Sequence, residues 1–406
     1  MKFIERNEYL DWLTRWKDQQ IIKVVSGVRR CGKSTMFKIF KEYLLSVGVK
    51  DSQIITINFE DLGFEPLTDY MELHRYILSH LHEDCMNYIF LDEIQHVDQF
   101  EKAVDSLFLR ENCDVYITGS NAYFMSGELA TRLTGRYVQL QMLPLSFMEY
   151  CSGLDGNGTQ MTDTDRFMQY LEEGGFPYTL RYGSSPQETR DYLRDIYNSI
   201  LFKDIVARLK VSDVNTLENV TKFMLHNIGN RTSANKIANT LKSAGTSVDQ
   251  KTVDKYLRGL TDSLLLYSVP RYNLKGRQFL TNRSKYYAVD TGMRNALVRG
   301  KDSDAGHILE NIIYLELKRR GYDVYVGESD EGEVDFVVEK GGRMEYYQVS
   351  ATVLEEKTLK RELAPLRKID DNYPKYLLTL DEMFREADYD GIQKRNAVDW
   401  LLKKQG

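Results

Sequence analysis

Residues 21–35 read I-I-K-V-V-S-G-V-R-R-C-G-K-S-T. Residues 21–26 form a short, mostly apolar and β-branched run of the kind that makes a strand buried in a sheet, and it passes straight into a loop with glycine at 27 and 32. From Ser34 to Leu45 apolar residues recur at helical spacing, so the order is strand, glycine loop, helix. Backbone N–H groups can curl around a phosphate only where no Cβ obstructs them, which is the use of Gly27 and Gly32. In this G-x-x-x-x-G-K-S pattern Lys33 is expected to reach the β- and γ-phosphates, and Ser34 to place its hydroxyl on Mg²⁺. The helix that follows turns its positive end toward the anion. Thr35 backs the α-phosphate, while Arg30 and Cys31 complete the loop, Cys31 as a small filler and not a nucleophile.

Outward from that loop, β-branched or apolar runs follow at 54–59, 88–91, 115–118 and 137–140, separated by segments long enough for helices. Five strands alternating with helices predict an α/β fold with a mostly parallel, helix-covered sheet. The run Y-I-F-L-D-E at 88–93 puts Asp92 at the end of a buried strand, where an acid completes a magnesium site, and Glu93 beside it as the general base for an attacking water. That pairing favours hydrolysis over storage of a nucleotide. The strand 115–118 ends in Gly119-Ser120-Asn121 and should lie beside the Asp92 strand. Ser120 or Asn121 could then hydrogen-bond the γ-phosphate or the water, although a turn alone would use the same residue types.

The polar, glycine-rich segment 151–165 reads as a surface loop, and the helical pattern from about 166 to 230 as a lid. From about 213 to 290 three amphipathic helices precede a hairpin around the basic loop N-L-K-G-R-Q-F-L-T-N-R-S-K, the outline of a winged helix-turn-helix. Residues 306–350 then run helix, strand, strand, strand, a further α/β unit. The expected division is residues 1–205 for the nucleotide domain with its helical lid, 206–298 for the winged helix, and 299–406 for the C-terminal domain.

A chain of 406 residues exceeds what one core usually serves, and 42% hydrophobic with 28% charged residues is ordinary for a folded protein. The four cysteines have no C-x-x-C spacing, so neither a zinc site nor a disulfide framework is expected. Acidic residues near the N-terminus and the lack of an apolar run of about 18 residues argue against export or membrane insertion and for a cytoplasmic protein. The net charge of −6 hides an asymmetry: residues 205–300 hold 16 lysines and arginines against six acids, leaving −16 for the remainder. Local basicity of this kind marks polyanion binding, with Lys251, Lys255 and Arg258 sharing one helical face and Lys275 and Arg277 on the wing. Alternatively this surface docks on the chain's own acidic remainder, or on a protein partner.

Together G-V-R-R-C-G-K-S-T, F-L-D-E-I-Q, I-T-G-S-N-A and L-T-G-R-Y-V-Q-L-Q-M-L-P-L-S-F-M-E-Y resemble the AAA-type P-loop ATPases, and more narrowly a bacterial and archaeal family whose C-terminal half is a domain of unknown function. The resemblance implies ATP and Mg²⁺ as cofactors and makes Ser120-Asn121 the polar sensor. It also implies an arginine finger at Arg132 or Arg136, of which Arg136 in T-G-R is preferred. G-G-F-P at 174–177 resembles the element that covers adenine in related ATPases, through Gly175 and Pro177; a helix terminator is the plainer reading. Glu310, Asp335 and Gln348, in the order helix, strand, strand, resemble the restriction-endonuclease-like PD-(D/E)XK core, a possible second metal site. The lysine of that core is replaced by Ser350, and Lys357 and Lys360 lack the right spacing. The functional expectation is an ATPase switch acting on a nucleic acid or protein. The alternatives are an ATP-dependent nuclease of a defence or mobile-element system, and a regulatory protein that holds nucleotide without turnover.

Overall fold

The structure is a computed structural model describing residues 3–119, 133, 135–155, 161–181, 185–276, 278–298, 305–329 and 332–403, with backbone alone for 279–284 and 329. The chain forms two compact units, Met1–Pro144 with Asp262–Leu264, and Leu145–Thr261 with Leu265–Gly406.

The first unit starts with helix α1 (Asn7–Trp16) and strand β1 (Ile22–Gly27), followed by α2 (Lys33–Ser46), β2 (Ile54–Asn58), α3 (Tyr70–His80), β3 (Asn87–Asp92), α4 (Phe100–Phe108), β4 (Cys113–Gly119) and β5 (Tyr137–Met142). The five strands are parallel in the order β2-β3-β4-β1-β5, as the alternation of strand and helix predicts. Every residue of β1, β3 and β4 is buried, because helices cover both faces. Ile22, Val24, Ile89, Leu91, Val115 and Ile117 stack on one face with Leu73, Ile77 and Leu107 of the helices. Lys23 is the exception in this apolar strand: it is fully buried and its ammonium pairs with Asp114 of β4, which also accepts the Tyr116 hydroxyl at 2.8 Å. Such a pair survives burial only because its remaining hydrogen-bonding capacity is met. The parallel order puts the carboxyl ends of β1, β3 and β4 side by side, the edge at which open α/β sheets bind ligands.

The second unit runs α5 (Phe147–Asp155), α6 (Asp163–Glu173), α7 (Pro186–Ser199), a wider helical turn Ile200–Val206, then α8 (Val214–His226), α9 (Ala234–Ser243) and α10 (Gln250–Asp262). Next come β6 (Leu266–Asn273), β7 (Gln278–Ala288), α11 (Thr291–Leu297), α12 (Ala305–Arg319), β8 (Asp323–Ser329), β9 (Gly332–Lys340), β10 (Arg343–Ser350), α13 (Glu356–Arg367), β11 (Lys375–Thr379), β12 (Ala387–Tyr389), β13 (Ile392–Asn396) and α14 (Ala397–Leu401). Three helices and a hairpin thus follow one another as the periodicity predicts. The basic stretch expected as a long loop is mostly strand, however. β7 begins at Gln278 and pairs Phe279 and Leu280 with Tyr272 and Arg271, so the described turn residues are 274–276. Asn273 fixes that turn by accepting the Gly276 N–H at 2.8 Å. The hairpin is also not free-standing. β6 pairs in parallel with β8, so both hairpin strands join an eight-stranded sheet ordered β12-β13-β11-β10-β9-β8-β6-β7. No described helix is long and apolar enough to cross a membrane.

Candidate functional site

The loop between β1 and α2 has the shape that its glycines allow. Gly32 has φ +107°, and Arg30 also lies in the left-handed region at +66°. A Cβ on Gly27 would come within 2.5 Å of the Met142 carbonyl and 2.8 Å of Cys31 Sγ, so the backbone has no room for another residue there. Cys31 is fully buried, and that burial pushes its thiol up, away from the reactive thiolate. These features fit a phosphate cradle with an inert filler.

Lys33, the first residue of α2, is 4% exposed. Its ammonium donates to the carbonyls of Gly27 and Val28 at 3.1 and 3.4 Å and pairs with Glu93 Oε1 at 3.2 Å. Burial is the largest single effect and lowers its pKa, but the neighbouring groups together, Glu93 foremost, outweigh it and the net direction is up, which keeps the charge. Asp92 closes β3 and is 4% exposed; burial raises its pKa, opposed by hydrogen bonds from Ser34 and Thr118. Thr118 Oγ1 donates to Asp92 Oδ1 at 2.5 Å and accepts the N–H of Glu93 at 2.8 Å. Glu93 sits at φ +55°, and its Oε2 accepts from Gln95 Nε2 at 2.6 Å. An ammonium, a hydroxyl and two carboxylates therefore meet at the carboxyl ends of three adjacent strands. That donor set suits a nucleotide's phosphates and an oxygen-seeking cation.

Two contributors escape sequence reasoning. Thr118 lies inside an apolar strand, and only its hydroxyl facing the Asp92 position distinguishes it. Arg6, just ahead of α1, is 5% exposed and donates to the carbonyls of Cys31, Leu143 and Pro144 at 3.0, 2.9 and 3.3 Å. Its guanidinium also lies 4.6 Å from the Tyr9 ring centre, and the Tyr9 hydroxyl accepts the Leu143 N–H at 3.2 Å. The N-terminal segment thereby clamps the phosphate loop to the end of β5, a contact 25 residues apart that no local pattern announces.

Ser120, Asn121 and Arg132 lie outside the described residues. Arg136 does not join the site. It precedes β5, its carbonyl accepts the Ile22 N–H at the start of β1, and its side chain lies against Asp105 and the Phe108 ring. That is the end of the sheet opposite the glycine loop. G-G-F-P belongs to the second unit, where Gly174 ends α6 with φ +76°. A Cβ on Gly174 would meet the Asp290 carboxylate at 2.2 Å, and one on Gly175 the Leu145 carbonyl at 2.4 Å. The Gly175 N–H donates to Asp290 Oδ2 at 2.6 Å. Described contacts of this motif are thus those of a helix terminator keyed into V-D-T-G-M at 289–293.

Glu310 on α12, Asp335 on β9 and Gln348 on β10 do come together, in a cleft of about 820 Å³ within the second unit. Gln348 Oε1 accepts the Asp335 N–H at 3.3 Å and its amide donates to Glu362 at 2.8 Å, while Asp335 Oδ2 accepts the Val349 N–H at 2.9 Å. The cation among them comes from Lys285 of β7, not from position 350: Nζ lies 2.7 Å from Glu310 and 3.6 Å from Asp335 and also pairs with Glu333. Lys360 instead pairs with Glu356 at an exposed position.

The model of an AAA domain matches residues 19–151, and that of a domain of unknown function, DUF8612, matches residues 164–304. An uncharacterized protein of Haemophilus influenzae is 36% identical over 98% of this chain and 99% of its own. The uncharacterized protein MJ1544 of Methanocaldococcus jannaschii is 29% identical over 86% of this chain and 78% of its own. The Walker-type ATPase PABY2304 of Pyrococcus abyssi superposes with a TM-score of 0.52 at 15% identity, covering 73% of this chain and 96% of that one, a likeness of fold. The chain therefore belongs to the family of the Haemophilus influenzae protein, an AAA-type family of P-loop ATPases.

Proposed function

We propose that the chain binds ATP with Mg²⁺ in its first unit and hydrolyses it, and that this cycle switches the second unit's hold on a nucleic acid. The observation that carries the reading is the convergence of Lys33, Asp92, Glu93 and Thr118 around the end of the glycine loop. Bound Mg²⁺ would supply charge neutralisation across the phosphates, held by Ser34 and Asp92. Lys33 exchanges its carbonyl partners and Glu93 for the phosphate oxygens. Glu93, released from that ion pair, orients a water and takes its proton. Thr118 keeps Asp92 and the Glu93 backbone fixed while both side chains change partners.

The nucleic-acid half of the reading rests on the second unit. Its three helices and hairpin suit a winged helix-turn-helix spanning about 206–298, with residues 299–406 as a restriction-endonuclease-like domain fused to it through one sheet. Lys251, Lys255 and Arg258 are all exposed on α10. Part of the regional basicity is spent inside the chain, since Arg231 pairs with Glu333, Arg271 with Glu328 and Lys285 with Glu310 of the C-terminal part. That supports intrachain docking for those three and leaves the α10 face for a ligand. The test is nucleotide binding and phosphate release by the full chain, with and without duplex DNA, beside Lys33→Ala. Loss of both nucleotide binding and turnover in a folded variant supports the reading; normal turnover in it overturns the site, and a wild-type rate indifferent to DNA overturns the switch.

A further inference from the structure

Both carboxylate oxygens of Glu93 are held, and by different kinds of group. Oε1 faces the Lys33 ammonium at 3.2 Å, while Oε2 accepts from the Gln95 amide at 2.6 Å. A carboxylate only accepts, so the amide turns its NH₂ toward it. Glu93, at φ +55°, leads into a short 3₁₀ turn, Ile94–His96, and this turn is what brings the side chain of residue 95 back to residue 93. Gln95 is partly buried, between Ile94 and Val97 on its chain, which are packed into the core of the first unit.

The turn does not need that amide in order to close. The His96 N–H donates to the Glu93 carbonyl at 3.2 Å and the Val97 N–H to the Ile94 carbonyl at 2.9 Å, while Thr118 holds the Glu93 N–H. What the amide adds is a restraint on the long Glu93 side chain, whose rotamer freedom would otherwise have to be lost in the reaction itself. The two holds also respond differently to a nucleotide. Phosphate oxygens attract the Lys33 ammonium away, whereas the neutral amide has no comparable partner to leave for. Without a second hold the carboxylate would be drawn after the ammonium.

We propose that Gln95 is a positioning residue for the base: it keeps Oε2 of Glu93 tied when Lys33 moves to the phosphates, so that Oε1 is the oxygen that meets the attacking water. This deepens the hydrolysis described above and rests on Glu93 being its base. In the step, the water oxygen bonds to the γ-phosphorus as the bond from that phosphorus to the bridging oxygen breaks, the electron pair leaves with ADP, and the water proton passes to Oε1.

Single-turnover phosphate release by the full chain with ATP and Mg²⁺, beside nucleotide titration, tests it on four proteins: the wild type, Gln95→Leu, Glu93→Gln and the double variant. Gln95→Leu keeps the bulk and removes the donor, so the rate should fall about tenfold or more while ATP affinity and melting temperature stay near wild type. A group that acts through Glu93 has nothing to position once the base is gone, so adding Gln95→Leu to Glu93→Gln should change the rate little. Equal fold losses in both backgrounds would give Gln95 a task of its own and overturn the inference. So would a wild-type rate in Gln95→Leu, or a loss confined to ATP affinity. Should Gln95→Leu fail to fold, Gln95→Asn, which keeps the amide but is one methylene too short, takes its place with the same expectations. Failure of the underlying reading looks different: either the wild type shows no turnover or Glu93→Gln matches its rate, and both results overturn the base together with its positioning.

Discussion

Thr118 and Asp92 are joined by a 2.5 Å hydrogen bond between the last turns of two neighbouring strands, and the same hydroxyl accepts the N–H of Glu93. One side chain thus fixes the direction of both acids. Thr118→Val keeps the shape and removes the hydrogen bonds. A hydrogen bond to a charged group contributes roughly 1.5–3 kcal/mol, so turnover should fall about 10- to 100-fold while ATP affinity changes little. Steady-state phosphate release and nucleotide titration read the two separately; an unchanged rate would remove Thr118 from the machinery.

Arg6→Ala deletes a buried guanidinium that serves three carbonyls, including that of Cys31 in the glycine loop. The orphaned carbonyls should destabilise the first unit by about 2–4 kcal/mol and weaken nucleotide binding. Arg6→Lys should rescue little, since a point charge cannot span the same acceptors. Thermal unfolding with and without ATP checks this, and wild-type melting together with wild-type affinity in Arg6→Ala would refute the clamp.

Gly292→Ala places a methyl 2.1 Å from the Glu173 carbonyl, which is backbone and cannot yield cheaply. A loss of roughly 3 kcal/mol or more in the second unit is expected, in the range of severe overpacking. Denaturant unfolding with near-normal midpoint would show that α6 and α11 do not meet as described.

Asp290 accepts backbone N–H groups of Gly175 and Met293, yet burial raises its pKa to about 6 from an ordinary 3.8. A raised carboxyl binds its proton more tightly folded than unfolded, so stability from this group is greatest below pH 4 and is lost as pH climbs through about 6. Relative to Asp290→Asn, which cannot titrate, the wild-type second unit should lose about 3 kcal/mol across that window. Parallel pH slopes for the two proteins would contradict the shift.

The glycine loop, the five-strand order of elements and the Asp92–Glu93 pair were legible because each rests on local pattern: strand period, glycine spacing, acids at a strand end. Thr118 and Arg6 were not, since their partners lie 26 and up to 138 residues away and a buried hydroxyl or arginine carries no motif. Lys285 was hidden for a related reason. It was sought within one strand of Gln348, whereas the sheet supplies it from β7, which precedes α12 in the chain. The stretch N-L-K-G-R-Q-F-L looks like loop because it is polar when read linearly, whereas Gln278, Phe279 and Leu280 pair in succession with Asn273, Tyr272 and Arg271 of β6.

The claim at the centre is that Glu93 drives hydrolysis from a site assembled around Lys33. It is tested most directly by single-turnover release of phosphate from ATP and Mg²⁺, comparing the wild type with Glu93→Gln at saturating protein. The amide keeps the shape and loses the base, so ATP should stay bound while release slows by about 10²- to 10⁴-fold. Release at the wild-type rate, or loss of ATP binding in place of turnover, would contradict that role.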